Sequence, residues 1–291
     1  MPTADLGGLE ICYQSLGPDE APTCLLVMGL GAQMLVWPDG LVTELLDRGF
    51  RVIRYDNRDV GLSSRSTGPV PDIAALMAAH AMGEPVSAPY TLSDMAADAV
   101  GLLDHLDIDA AHVVGASLGG MIAQHLAIEF SDRVESLTSI MSTTGAPEVD
   151  EAGDEVLALL LTPAPADRLA AVEHNVALSR ALSGPLFDEA RAREAAREGF
   201  DRAFTPDAGA FHIAAMGASG DRSEHLEKVT CPTLVVHGQL DPLIPVSGGL
   251  ATAAAVPGAD LLVLAEMGHD FPAVYWDQIA DAIIGIARRA G

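Results

Sequence analysis

Ser117 sits in the run Gly115-Ala116-Ser117-Leu118-Gly119, a spacing that can present a hydroxyl for nucleophilic attack. A serine hydroxyl is a weak nucleophile near neutral pH. It needs a base within reach and a backbone that exposes it. Gly-x-Ser-x-Gly meets the second need when it joins a strand to a helix: the serine takes strained angles, and small neighbours relieve the crowding. Here His112-Val113-Val114 leads in as a short strand, and apolar residues at helical spacing run from Leu118 to Phe130. A helix that begins at Leu118 also turns its first N–H groups toward developing negative charge. The context predicts a nucleophile for acyl transfer rather than a surface serine in a glycine-rich connection.

The base and its orienting acid are expected downstream, in the order Ser…Asp…His. His269, in Glu266-Met267-Gly268-His269, follows the apolar run Leu261 to Leu264 and precedes the closing helical pattern. Its ring would take the Ser117 proton and return it to the leaving group. Asp241, in His237-Gly238-Gln239-Leu240-Asp241-Pro242, follows the strand-like run Thr233 to His237. It would accept a bond from the far ring nitrogen and so fix the tautomer. Asp260 and Asp270 compete for that role, but neither lies just past this strand.

These residues need a scaffold. Leu9 to Gln14 alternates like a half-buried antiparallel strand, whereas Thr23 to Met28 is a continuous apolar run suited to a strand covered on both faces. Arg51 to Tyr55 reads as a further strand, after a helical pattern around Leu41 to Leu46. Ser93 offers an N-cap for a helix over Asp94 to Leu106, and Ser136 to Met141 returns to strand. Such alternation implies an α/β fold, a mainly parallel sheet with helices on both faces. It breaks from about Gly145 to Glu227, where Ala-, Glu- and Arg-rich helical stretches such as Phe187 to Phe204 are punctuated by prolines. It resumes at Thr233 and ends in a helix from about Tyr275 to Arg289. The predicted organisation is a sheet core over 1–144 and 228–291, interrupted by an inserted helical lid over 145–227.

The run HVVGASLGGMIAQHLA resembles the nucleophile elbow of the α/β-hydrolase superfamily. VMGLGAQMLVWPDGL, followed by RVIRYDNRDVGLSS, is similar to the branch that holds the aclacinomycin methylesterases and related carboxylesterases. With HGQLDPLIP and EMGHDFP the resemblance spans nearly the whole chain except the lid. It implies an α/β-hydrolase fold and a serine carboxylesterase that needs no cofactor. It also implies an oxyanion hole built from backbone N–H groups of Leu118 and Leu30. Many relatives carry His-Gly where this chain has Met28-Gly29, a change that a backbone donor survives. A carboxylic methyl ester on a bulky, polyketide-like ring system is the substrate class implied. A thioesterase, lactonase, amidase or perhydrolase would use the same parts. A slow-turnover ligand sensor is a second class on the same fold. Serine at the elbow, in place of aspartate, argues against dehalogenase or epoxide hydrolase chemistry. Leu30, Met34 and Trp37, with Met216 in the lid, are the candidate pocket residues.

Other features carry blander expectations. Gly29-x-Gly31 lacks the third glycine of a dinucleotide site, since Met34 stands there. Asp56-Asn57-Arg58-Asp59 reads as a turn held by side-chain bonds and an Asp–Arg pair. His112, His125 and His237 are expected to be packed, and His105 to lie on a surface. His80, His174, His212 and His225 fall in loop or lid segments, where one of the lid histidines could touch substrate. Cys12, Cys24 and Cys231 are scattered beside apolar runs, as small buried hydrophobes are. No clustered Cys/His spacing suggests a metal. The formal charge of −25, with Lys228 the only lysine, disfavours nucleic-acid and anionic-membrane partners. No apolar run approaches the roughly 20 residues of a membrane span, and the N-terminus lacks a secretory pattern. A cytoplasmic monomer or homodimer that acts on a small-molecule ester is expected.

Overall fold

The computed structural model describes residues 1–147, 149–150 and 152–290, and of His80 the backbone alone. The chain begins with β1 (Thr3–Asp5), β2 (Glu10–Leu16), β3 (Thr23–Val27), α1 (Asp39–Asp47) and β4 (Arg51–Tyr55). Next come α2 (Ile73–Ala81), α3 (Leu92–His105), β5 (Ala111–Ala116), α4 (Leu118–Glu129) and β6 (Val134–Ile140). Among the described residues, five helices separate β6 from the next strand: α5 (Asp154–Leu161), α6 (Arg168–Leu182), α7 (Glu189–Arg202), α8 (Ala208–Ser219) and α9 (Ser223–Leu226). The sheet then resumes with β7 (Thr233–Gly238), α10 (Val246–Ala255), β8 (Asp260–Leu264) and the closing α11 (Trp276–Ala287).

Eight strands form one sheet in the order β1-β2-β4-β3-β5-β6-β7-β8. β2 pairs antiparallel with β1 and β4, and from β4 to β8 every pairing is parallel. β3, β4 and β5 are buried along their whole length, as strands covered on both faces must be. Successive side chains point to opposite faces, and the core divides accordingly. Leu25, Val27, Ile53 and Val113 join a cluster with Leu102 of α3 and Leu126 of α4. Cys24, Leu26, Val52 and Val114 join the opposite cluster with Leu41 of α1 and Ile283 of α11. Truncating a fully buried leucine such as Leu25 would cost about 2–5 kcal/mol.

The N-cap of α3 is Thr91, not Ser93. The Thr91 hydroxyl accepts from Asp94 N–H at 3.3 Å, and Asp94 accepts from Thr91 N–H at 2.7 Å, which makes a reciprocal capping box. Ser93, two residues on, donates its hydroxyl to Glu129 instead. The helices α2 and α10 have no counterpart in the sequence expectations. Both are apolar without a polar stripe, so their sequences lack the amphipathic period that marks a helix. Among the described residues no helix is long and apolar enough to cross a membrane.

Candidate active site

Parallel strands bring their carboxyl ends to one edge of a sheet, and the chain's candidate chemistry collects there. Ser117 follows β5, Asp241 follows β7 and His269 follows β8. Ser117 has φ 56° and ψ −122°, a left-handed setting that is rare for a residue with a side chain. It is held by Ser117 N–H donating to Ile140 O at 2.9 Å and by Gly120 N–H donating to Ser117 O at 2.8 Å. The Ser142 hydroxyl also donates to Ser117 O, at 2.8 Å. The flanking glycines answer a steric demand. A Cβ on Gly115 would lie 2.1 Å from Gly119 O, and one on Gly119 would lie 2.0 Å from Val27 O. Both obstacles are backbone, so no larger residue fits without moving the turn.

Asp241 and His269 meet directly. His269 Nδ1 lies 2.7 Å from Asp241 Oδ2, and the Asp241 side chain has no exposed surface. The other carboxylate oxygen accepts N–H groups from Leu243 and Ile244, each at 2.9 Å. The carboxylate is thus locked in place, and it accepts the ring proton at Nδ1, which leaves Nε2 as the basic nitrogen. The two competing aspartates point elsewhere. Asp260 pairs with Arg289 at 2.6 Å on the surface. Asp270 accepts Gly268 N–H at 3.1 Å, and burial pushes its pKa up.

The loop after β3 comes against the nucleophile. A Cβ on Gly29 would lie 3.1 Å from the Ser117 Cβ, so the Leu30 backbone passes close to the hydroxyl. Among the described residues, neither Leu30 N–H nor Leu118 N–H finds an acceptor. Leu118 is buried and Leu30 half-buried, and backbone donors left unpaired near a nucleophile are the kind of group that can hold an anionic oxygen.

The Asp-Asn-Arg-Asp turn underpins this loop, though not through an internal pair. Asp56, fully buried, accepts Met34 N–H at 2.9 Å through Oδ1, and Leu62 N–H at 3.0 Å through Oδ2. Its arginine partner is Arg202 of α7, at 2.7 Å. Arg58 makes a two-pronged pair with Asp98 of α3, both contacts at 2.6 Å. Asn57 donates to Met28 O at 2.9 Å. Gln33 extends the tether, donating to Gly199 O and Ala203 O at 2.7 and 2.9 Å while accepting from Arg202 at 2.6 Å. The His269 loop is likewise fastened from outside the sheet core, since His269 N–H donates to Leu182 O at 2.7 Å.

Sequence reasoning did not single out Gln33, Arg202 or Leu182, nor Gly184, where a Cβ would lie 2.5 Å from Glu266 O beside the His269 loop. Their partners lie far along the chain, and no local motif announces such contacts. Met34 and Trp37 are fully buried, with the Trp37 ring 5.1 Å from Phe271 in the cluster that carries α1 and α11. Met216 is half-buried against the opposite cluster. His112 and His237 are buried, His125 bonds Glu129 at 2.6 Å, and His105 is exposed. His174 is half-buried and His225 exposed, whereas His212 is fully enclosed. The side chain of His80 lies outside the described residues.

The model of the alpha/beta hydrolase fold family matches residues 22–273. The chain belongs to that family. It is 31% identical to the rhodomycin D methylesterase DnrP of Streptomyces peucetius, across 100% of this chain and 99% of that one. It is 29% identical to a putative carbamate hydrolase of Caulobacter, RutD, over 88% of this chain and 87% of that protein. Among solved structures, a meta-cleavage product hydrolase of Pseudomonas fluorescens superposes with a TM-score of 0.78 at 18% identity, covering 100% of this chain and 98% of the other. An enol-lactonase of Burkholderia xenovorans gives 0.74 at 22% identity, covering 99% and 100%. At such identities the superpositions speak for the fold alone.

Proposed function

We propose that this family member is a serine esterase that opens carboxylic esters of small molecules through an acyl-Ser117 intermediate. His269 Nε2 takes the proton from Ser117 as its oxygen attacks the ester carbonyl. Leu30 and Leu118 N–H groups hold the resulting oxyanion. Collapse of the tetrahedral species expels the alcohol, which leaves with the proton from His269. His269 then activates a water that attacks the acyl-serine, and the acid departs as Ser117 recovers its proton. Asp241 stabilises the imidazolium at each stage and keeps the ring in the productive tautomer. The observation that carries this reading is the strained backbone of Ser117, φ 56° at the carboxyl end of β5. Such strain persists only where surrounding structure enforces it.

Within that reading, residues 145–227 act as the lid, and a methyl ester of a carboxylic acid borne on an apolar ring system is the substrate class. The support is the full-length likeness to a rhodomycin D methylesterase. Hydrolysis should be followed for p-nitrophenyl esters of increasing acyl length and for methyl esters of aromatic polyketide acids. Ser117→Ala serves as the blank. Turnover that requires Ser117 and favours the methyl esters supports the proposal. Equal rates for the wild type and Ser117→Ala refute the mechanism, and indifference to the alcohol refutes the substrate class.

A further inference from the structure

Besides Asp56 and Asn57, a side chain from α8 braces the oxyanion loop. His212, on α8, has no exposed surface, yet the reaction just described does not use it. Its Nδ1 lies 3.2 Å from Gly31 N, and its Nε2 lies 3.0 Å from Arg58 O. A backbone N–H can only donate and a carbonyl can only accept. The two partners therefore fix the ring as a neutral imidazole protonated on Nε2. Burial holds its pKa below the usual histidine range; Asp59 pulls the other way and the Arg58 charge adds to the lowering.

The geometry at Gly31 makes this bond consequential. Ala32 N–H donates to Gly29 O at 3.3 Å, closing a tight turn around Leu30 and Gly31, with Gly31 at φ 60°. A Cβ on Gly31 would lie 3.5 Å from Gly209 N, so the turn already rests on the start of α8. The amide that His212 receives belongs to the Leu30–Gly31 peptide, one peptide unit along from the Leu30 N–H that faces the oxyanion. Fixing that amide restricts rotation about Leu30 and so aims its N–H. We propose that His212 is a positioning residue for catalysis, holding the oxyanion donor Leu30 in register through Gly31. This rests on the esterase reading above.

The test uses three variants and two readouts. His212→Asn keeps an acceptor near the Nδ1 position, His212→Gln keeps a donor near Nε2, and His212→Phe fills the space with neither. Steady-state hydrolysis of p-nitrophenyl acetate is measured beside inhibition by phenylboronic acid, whose adduct with Ser117 places an oxygen in the hole. His212→Phe should lower kcat by about 10–100-fold, since small displacements and lost oxyanion donors cost on that scale. KM should stay within about twofold, the boronate should weaken by the same factor as kcat, and His212→Asn should recover most of the loss. Rates within twofold of wild type for His212→Phe would overturn the proposal. So would equal recovery by His212→Gln, which marks the Arg58 contact as the one that matters. If His212→Phe does not fold, the Asn and Gln pair decides alone. Wild-type turnover by Ser117→Ala in the same assay would instead defeat the underlying esterase reading.

Discussion

The sheet's carboxyl edge and the helical insertion between β6 and β7 contribute to one site by different means. The edge supplies the proposed reacting groups, each placed by a turn of a few residues directly after its strand. Ser117 and Asp241 are fixed mainly by backbone N–H and C=O groups of neighbours in sequence or in the adjacent strand, and the His269 ring by Asp241. The insertion supplies fasteners. Arg202 clamps Asp56 and Gln33, Leu182 O receives His269 N–H, and His212 receives Gly31 N–H. Damage to the edge should therefore abolish chemistry while the fold stands. Damage to the insertion should loosen geometry and stability together.

The largest expected effect is at the nucleophile. Ser117→Ala should lower kcat on the order of 10⁶-fold with unchanged thermal stability, measured by steady-state hydrolysis and calorimetry. Asp241→Asn comes next, at about 10⁴-fold. Its amide oxygen can still accept the Leu243 and Ile244 N–H groups, but its NH₂ facing His269 Nδ1 selects the wrong tautomer. A loss below tenfold would mean that Asp241 does not orient the base.

The insertion's fasteners should act on stability as well as rate. Arg202→Met leaves the Asp56 carboxylate buried without its partner, and breaking such a pair costs about 3–5 kcal/mol. Urea unfolding should show that loss, and the double variant with Asp56→Asn should recover part of it. Equal losses from the single and double variants would show that the pair itself is not what Arg202 contributes. Gly184→Ala pushes a methyl to 2.5 Å from Glu266 O, beside the His269 loop. A displacement of about 1 Å there should cost on the order of 10²-fold in kcat. The smallest effect belongs to the α3 N-terminus, where the Thr91 cap bonds only within its own turn. Thr91→Ala removes the α3 cap for about 1 kcal/mol of stability and leaves kcat alone.

This contrast also explains what the sequence makes legible. Alternation of apolar strands and amphipathic helices predicts the sheet, and Gly-x-Ser-x-Gly marks its turn because packing there tolerates only glycine at 115 and 119. Asp241 and His269 are legible for the same reason, since each follows its strand within a few residues. The fasteners join residues as far apart as Gly31 and His212. Nothing in the local spacing of α7 or α8 marks Arg202 or His212. Asp56 shows the limit well: its turn is readable as a side-chain-held turn, but its true partner lies on α7 rather than at Arg58. Likewise Ser93 satisfies the capping preference, yet Thr91 with Asp94 satisfies two donors at once and takes the position.

The central claim is that Ser117 carries the acyl group, and one measurement addresses it most directly. The protein is treated with ethyl p-nitrophenyl methylphosphonate, which trades its p-nitrophenolate for the attacking oxygen, and the intact mass and tryptic map are read. One adduct per chain on Ser117, absent in Ser117→Ala and strongly slowed in Asp241→Asn, is the predicted result. An adduct on another residue, or equal labelling of Ser117→Ala, would contradict the account.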